Sequence, residues 1–203
     1  MNSNVLIIFL KYPVPGMVKS RLALHLGNER AAEIYKKIAE TIVQKVTPAS
    51  SEDYILEICF SPQEDEKLVR KWLVENEYFS PQQGSDLGER MLNAFKHVFE
   101  KGCKRAVLIG SDCPDISRGI ITQSFDMLKA KHIVLGPTYD GGYYLIGVRE
   151  PIPELFSNIE WGTEKVLSQT TDKINAAGLS LCLLPMLRDI DRVEDLQYYN
   201  LDL

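Results

Sequence analysis

An unbroken run of apolar residues can be a β-strand only where both its faces are buried, as in a parallel sheet covered by helices on both sides. Residues 5–10 (VLIIFL) and 106–109 (AVLI) are two such runs. Each is followed by residues that end a strand: Pro13, Pro15 and Gly16 after the first, Gly110 and Pro114 after the second. In open α/β sheets, ligands bind at the carboxyl ends of the strands. Asp112, directly after the second run, is therefore a candidate for chemistry. The simpler alternative is that Ser111 or Asp112 caps a helix beginning near Ser117.

The remaining chain alternates between strand and helix. Apolar residues at three- or four-residue spacing (Ala31, Ile34, Ile38, Ile42, Val46) predict an amphipathic helix over 28–46 capped by Asn28. Strands are expected at 54–60, 78–80, 132–135, 143–148 and 179–184, and helices at 64–75, 89–101, 119–130, from Thr163 as cap to about 177, and 193–200. This pattern predicts a single domain over 1–203: a Rossmann-like, doubly wound α/β fold, its sheet mostly parallel with helices on both faces. No repeat or low-complexity segment interrupts it.

Net charge is −5, which argues against a nucleic-acid binder. No Asp or Glu precedes Glu29, however, whereas Lys11, Lys19 and Arg21 all fall before it. A locally basic end on an acidic chain suits an anionic ligand. The four cysteines and three histidines are scattered without metal-ligand or disulfide spacing. The first apolar run is too short for a signal peptide or a membrane span, so a reducing cytoplasm is the expected location.

The loop over 11–22 contains Gly16, Lys19 and Arg21, a set able to hold phosphates by backbone N–H groups, a point charge and a two-pronged donor. It is not a P-loop, because Val18 and Pro13 stand where that motif needs glycine. Asp112, Asp189 and Asp191 are the metal candidates, since magnesium or manganese is commonly held by one or two carboxylates plus substrate phosphates. The alternative for Asp189 and Asp191 is capping the last helix. Asp140-Gly141-Gly142 reads as a hairpin, and the same glycines permit close approach of a ligand beside Asp140. Ser85 and Asp86 cap a helix or border a ligand together with Arg90; Trp161 either packs or stacks on a ligand. Cys113 lacks a neighbouring histidine and reads as packing.

Taken together, K-x-P-x-x-G-x-x-K-S-R-L at 11–22, G-S-D-L-G-E-R-M at 84–91, G-S-D-C-P at 110–114, G-P-x-x-D-G-G-Y-Y-L-I-G at 136–147 and D-I-D-x-x-E-D-L at 189–196 resemble the nucleotide-diphospho-sugar transferase superfamily, the GT-A fold. The chain looks like an uncharacterised bacterial glycosyltransferase-like family within it, and is similar to the guanylyltransferases of deazaflavin- and molybdenum-cofactor synthesis. The resemblance implies that Lys19 and Arg21, with Lys11 and Gly16 nearby, hold nucleotide phosphates, and that Asp112 and Asp191 hold Mg²⁺ or Mn²⁺. It further implies that Ser85, Asp86 and Arg90 border the base and that Asp140, Gly141, Gly142 and Tyr143 line the acceptor pocket. Two departures stand out. Sugar transferases of this fold carry Asp-x-Asp where this chain has Gly110-Ser111-Asp112, and nucleotidyltransferases carry G-x-G-x-R where it has Pro13, Pro15 and one Gly16.

The expected activity is transfer from a nucleotide sugar to an unknown acceptor. Its rival is nucleotidyl transfer from a nucleoside triphosphate to a phosphorylated acceptor, and a third reading is an inactive nucleotide-sensing module. A monomer or a homodimer is expected.

Overall fold

The computed structural model describes residues 3–50, 52–73 and 78–199. Among these, seven strands form one sheet in the order β3-β2-β1-β4-β6-β5-β7. They are β1 (Asn4–Lys11), β2 (Ile55–Ser61), β3 (Tyr78–Pro81), β4 (Arg105–Ile109), β5 (Ile133–Pro137), β6 (Tyr143–Val148) and β7 (Leu181–Leu183). Only the two pairings made by β6 are antiparallel.

Six α-helices connect or cover them: α1 (Ser20–Leu26), α2 (Asn28–Val46), α3 (Glu66–Trp72), α4 (Leu87–Glu100), α5 (Arg118–Met127) and α6 (Val166–Ala176). The alternation along β1 explains the unbroken apolar run. Leu6, Ile8 and Leu10 pack with α2, α3 and α5, whereas Val5, Ile7 and Phe9 pack with α4 and α6 on the other face. No helix among the described residues is long and apolar enough to cross a membrane.

The register decides which loops meet. Ile8 of β1 lies beside Ile109 of β4, so the loops that follow these strands open at the same edge. Ile109 also pairs with Leu145 of the antiparallel β6, which brings the Asp140 hairpin to that edge. Past β7 the chain turns back across the strand ends: Leu187 N donates to Pro137 O at 3.1 Å and Ile190 N to Asp112 O at 2.9 Å. The segment 189–191 thereby comes to rest at the end of β4, three strands in from the edge strand β7.

Several helix ends differ from the sequence-based expectation. Asn28 is the first residue of α2 and Gly27, at φ 80°, stands at the cap position. Thr163 does not cap α6, which begins three residues later at Val166, because Thr163 Oγ1 donates to Glu160 O at 2.8 Å within a local turn. The last helix is a short 3-10 segment, Val193–Tyr198, and the strand expected over 179–184 is reduced to Leu181–Leu183. In the expected helix over 64–75, α3 ends at Trp72 after an opening 3-10 turn, Gln63–Asp65; residues 74, 75 and 200 lie outside the described residues.

Candidate functional site

Lys19 is the centre of the site. It holds a left-handed backbone (φ 49°, ψ 49°), uncommon for a residue with a side chain, at the end of the proline-rich loop. That conformation turns its side chain inward, and only 3% of it is exposed. Its Nζ lies 2.5 Å from Asp112 Oδ1 and 3.1 Å from Asp191 Oδ1, and also donates to the Ile190 carbonyl. Burial alone would lower this ammonium's pKa, but Asp112 and Asp191 outweigh it and hold the group above its usual range. Arg21, half exposed, donates from Nη1 to Asp191 Oδ2 at 3.2 Å.

Beneath this group lies a buried hydroxyl pair. Tyr35 on α2 accepts from Lys11 N at 2.9 Å and sits 3.0 Å from Ser111 Oγ, tying the ends of β1 and β4 to the helix. Burial, and then the charge of Asp112, push the Tyr35 phenol up to about 12.

The capping alternatives for the aspartates are settled by geometry. Ser117 caps α5, so neither Ser111 nor Asp112 does. The last segment is capped by Asp195, whose Oδ2 accepts from Asp191 N at 3.0 Å and Arg192 N at 2.8 Å. Asp189 is pushed up to about 6 by burial and by the charges of Asp140 and Asp191. Asp140 Oδ1 accepts from Thr138 Oγ1 at 2.5 Å and from Gly142 N at 3.0 Å, which holds the hairpin turn.

The residues fit the implied divalent ion only in part. Among the described residues no group of three or more His, Cys, Asp or Glu is placed to hold a metal. Asp112 is 47% exposed and no described residue bonds its Oδ2, which suits a ligand completed by substrate phosphates. Asp191 does not fit in the same way, since Lys19 occupies one of its oxygens and Arg21 the other.

A cleft of about 760 Å³ opens beside this corner. Of the residues expected from sequence, Lys11, Gly16, Lys19, Arg21, Arg90, Asp112, Asp140, Gly142, Tyr143, Trp161 and Asp191 line it. Ser85, Asp86 and Gly141 do not. Asp86 accepts from Glu89 N at 2.8 Å as the cap of α4, and Ser85 donates by both N and Oγ to Glu89 Oε2, so both side chains serve the helix end. Gly141 (φ 87°) is packed against the backbone of Glu164, where a Cβ would come within 2.2 Å of the carbonyl oxygen. Arg90 is steadied by its own loop through Nε to Gly84 O at 3.1 Å. Trp161 forms the far wall, edge-on to Tyr143 with ring centres 6.5 Å apart. Cys113 is buried, and burial followed by the charges of Asp189 and Asp112 push its thiol far up, away from a nucleophile's range.

Sequence reasoning missed three lining residues: Tyr35, Ser111 in its bonding role, and Gln82. Gln82 donates through Nε2 to Cys59 O at 3.0 Å and Leu10 O at 3.3 Å, sealing the cleft floor at the ends of β2 and β1. Nothing in the pair Gln82-Gln83 marks which of the two faces in. Tyr35 was detectable in principle, as a polar-tipped aromatic beside Ile34 on the buried face of α2.

The sequence pattern of DUF2064, described as an uncharacterized protein conserved in bacteria, matches residues 44–163, more than half of the chain. The chain belongs to the DUF2064 family. This DUF2064 protein is 35% identical to a candidate nucleotide-diphospho-sugar transferase from Desulfovibrio desulfuricans G20 of known crystal structure; the match covers 98% of this chain and 87% of that one, with a TM-score of 0.89. At 9% identity it superposes on CMP:2-keto-3-deoxy-manno-octonic acid synthetase complexed with CTP (TM-score 0.57, covering 97% of this chain and 96% of that one). At 10% identity it superposes on Rv0371c from Mycobacterium tuberculosis H37Rv in complex with manganese (TM-score 0.54, covering 97% of both chains). The last two likenesses are of fold alone. No match was found among curated proteins. The DUF2064 chain therefore has the nucleotide-diphospho-sugar transferase fold.

Proposed function

We propose that this DUF2064 protein is a transferase that uses a nucleotide sugar as donor. One observation carries the reading: a buried lysine and an adjacent arginine, Lys19 and Arg21, converge with Asp112 at the mouth of a cleft at the carboxyl ends of β1 and β4. The relative at 35% identity, itself a candidate nucleotide-diphospho-sugar transferase, supports it.

In this reading the donor's diphosphate lies against Lys19 and Arg21, and its base lies toward Gln82 and Arg90. The acceptor's hydroxyl attacks the anomeric carbon as the bond from that carbon to the diphosphate oxygen breaks. Lys19 and Arg21 neutralise the charge that develops on the departing nucleoside diphosphate. Asp140, whose Oδ1 is held by Thr138 and Gly142, offers its Oδ2 to the acceptor's proton. A divalent ion arriving with the nucleotide would be held by Asp112 and the phosphates and would add charge neutralisation at the leaving group. The acceptor is of unassigned class.

A second reading, nucleotidyl transfer with release of pyrophosphate, is favoured by one observation. At the position where sugar transferases carry Asp-x-Asp, just after β4, this chain has Gly110-Ser111-Asp112, one carboxylate in place of two.

A thermal-shift screen of nucleotide sugars and nucleoside triphosphates, with and without magnesium or manganese, separates the readings. A ligand at about a hundred times its Kd stabilises the fold by roughly 2.7 kcal/mol, several degrees in Tm for a chain of this size. A shift with a nucleotide sugar supports glycosyl transfer and names the donor; a shift with triphosphates alone supports nucleotidyl transfer. No shift with any of them sinks both. Binding without turnover on any donor would leave the inactive sensing module.

A further inference from the structure

The position of Lys19 decides more than where phosphates go. A divalent ion bridging the Oδ1 atoms of Asp112 and Asp191 would sit where the Lys19 ammonium lies, 2.5 Å from one and 3.1 Å from the other. The side chain is 3% exposed, its third partner is the Ile190 carbonyl, and its backbone is left-handed. It is therefore clamped in place by the surrounding fold and does not sample the site from solvent. Asp191 is further occupied by Arg21 through its other oxygen.

We infer that Lys19 is a resident cation that fills the space between Asp112 and Asp191, keeps the free protein from binding a divalent metal, and admits the metal only together with a phosphate-bearing ligand. Asp191 is accordingly a positioning residue for Lys19 and Arg21 and does not ligate the metal. The physical reason is charge balance. The two carboxylates, paired with the Lys19 ammonium and the Arg21 guanidinium, carry no net charge, too little to strip water from Mg²⁺ or Mn²⁺, and the ammonium repels the ion at contact distance. A diphosphate gives Lys19 a second anionic partner and brings its own oxygen ligands, so the open Oδ2 of Asp112 and the phosphates can then complete a coordination shell. Removing the ammonium should uncover a latent two-carboxylate site.

The inference rests on the phosphate-binding reading only for its second half, and the test keeps the halves apart. Mn²⁺ alone is titrated into the wild type and Lys19→Met, followed by electron paramagnetic resonance of free Mn²⁺ and by the Tm of each protein. The wild type is expected to leave Mn²⁺ free, and Lys19→Met to bind it at least about tenfold more tightly and gain Tm from it. If Lys19→Met does not fold, Lys19→Gln, which keeps a hydrogen-bonding head without the charge, serves in its place. Mn²⁺ is then titrated into the wild type and Asp191→Asn with inorganic pyrophosphate present. Both are expected to take up the ion, with the variant weakened in pyrophosphate affinity more than in Mn²⁺ affinity. Wild type that binds Mn²⁺ alone as tightly as Lys19→Met overturns the inference, as does a Lys19→Met that binds no Mn²⁺. If Mn²⁺ alone behaves as expected but pyrophosphate brings no uptake, the phosphate-binding reading and the admission step fail while the blocking role of Lys19 stands.

Discussion

The two rims of the cleft are held by different kinds of contact. At the corner of Lys19, Asp112 and Asp191, the partners lie far apart in sequence: Lys19 and Arg21 each reach Asp191 across about 170 positions, at 3.1 and 3.2 Å. On the opposite rim the loop over 84–90 is bonded almost wholly to itself. Ser85 and Asp86 meet Glu89, and Arg90 turns back to Gly84, all within six residues. The first arrangement exists only once the sheet is complete and segment 189–191 has crossed the strand ends, whereas the second can form with the first turn of α4. The difference separates a preorganised charge cluster, whose loss should fall on ligand binding, from a locally stable frame, whose loss should fall on the helix.

The largest effect is expected from breaking the first rim. Lys19→Met should weaken binding of the nucleotide identified by the screen on the order of a hundredfold, since a buried, charged donor to phosphate is lost; isothermal titration reads this directly. Arg21→Ala should cost roughly tenfold, because that side chain is already half solvated and its ion pair with Asp191 is partly screened. If the two losses were equal, burial would not be what distinguishes these cations.

Next comes Gly88, where the local rim packs against the Trp161 wall. A Cβ there would approach Phe156 O at 2.5 Å and Trp161 Nε1 at 2.7 Å. Gly88→Ala should therefore destabilise by about 1–3 kcal/mol despite alanine's better helix propensity, and displace the Trp161 wall. A fall in Tm and a change in tryptophan fluorescence are the observables. Pyrophosphate binding at Lys19 should survive, and its loss would mean the rims are not independent.

The same contrast explains what could be read from the sequence. The doubly covered sheet was legible because runs such as residues 5–10 admit no other burial, and DUF2064 membership agrees with the motifs that carried the resemblance. Asp86 and the hairpin at Asp140 were legible as turn chemistry, which is a local property. The partners of Lys19 were not, because spacing cannot say that the chain after β7 recrosses the sheet to Asp112 through Ile190 N. Nor can it say that Asp195 takes over the capping that frees Asp191 for the cations. Thr163 misled for the converse reason: a residue type suited to capping was taken up by a nearer carbonyl, that of Glu160.

Tyr35 tests the support beneath the charge corner. Tyr35→Phe leaves Lys11 N–H and the Ser111 hydroxyl without this partner and should cost about 1–2 kcal/mol, seen as a lower midpoint in urea. Its pH signature has a definite sign. The phenol titrates at about 12 in the folded protein against 10.0 ordinarily, so the folded state favours the protonated form. Stability from Tyr35 is thus fully present below pH 10 and is lost as pH rises from about 10 to 12. Tyr35→Phe should flatten the alkaline fall in Tm over that interval. An unchanged slope would mean that the phenol is not held protonated by burial and the charge of Asp112.

The smallest effect is expected on the local rim, and its smallness is what the comparison requires. Asp86→Ala removes the side chain that accepts from Glu89 N at 2.8 Å and should cost about 1 kcal/mol, a drop of about 2–4 °C in Tm. Ser85 would still donate to Glu89 from both N and Oγ, so the turn keeps part of its frame and the loss should stay near that figure. Pyrophosphate affinity should not change, because no bond joins Asp86 to Lys19 or Arg21. Adding Ser85→Ala should cost a further few tenths of a kcal/mol, since this serine is exposed and its partner Glu89 is solvated. A fall in pyrophosphate affinity of even tenfold in Asp86→Ala would mean that the local frame sets the position of the cations, and the division between a tertiary corner and a local rim would have to be abandoned.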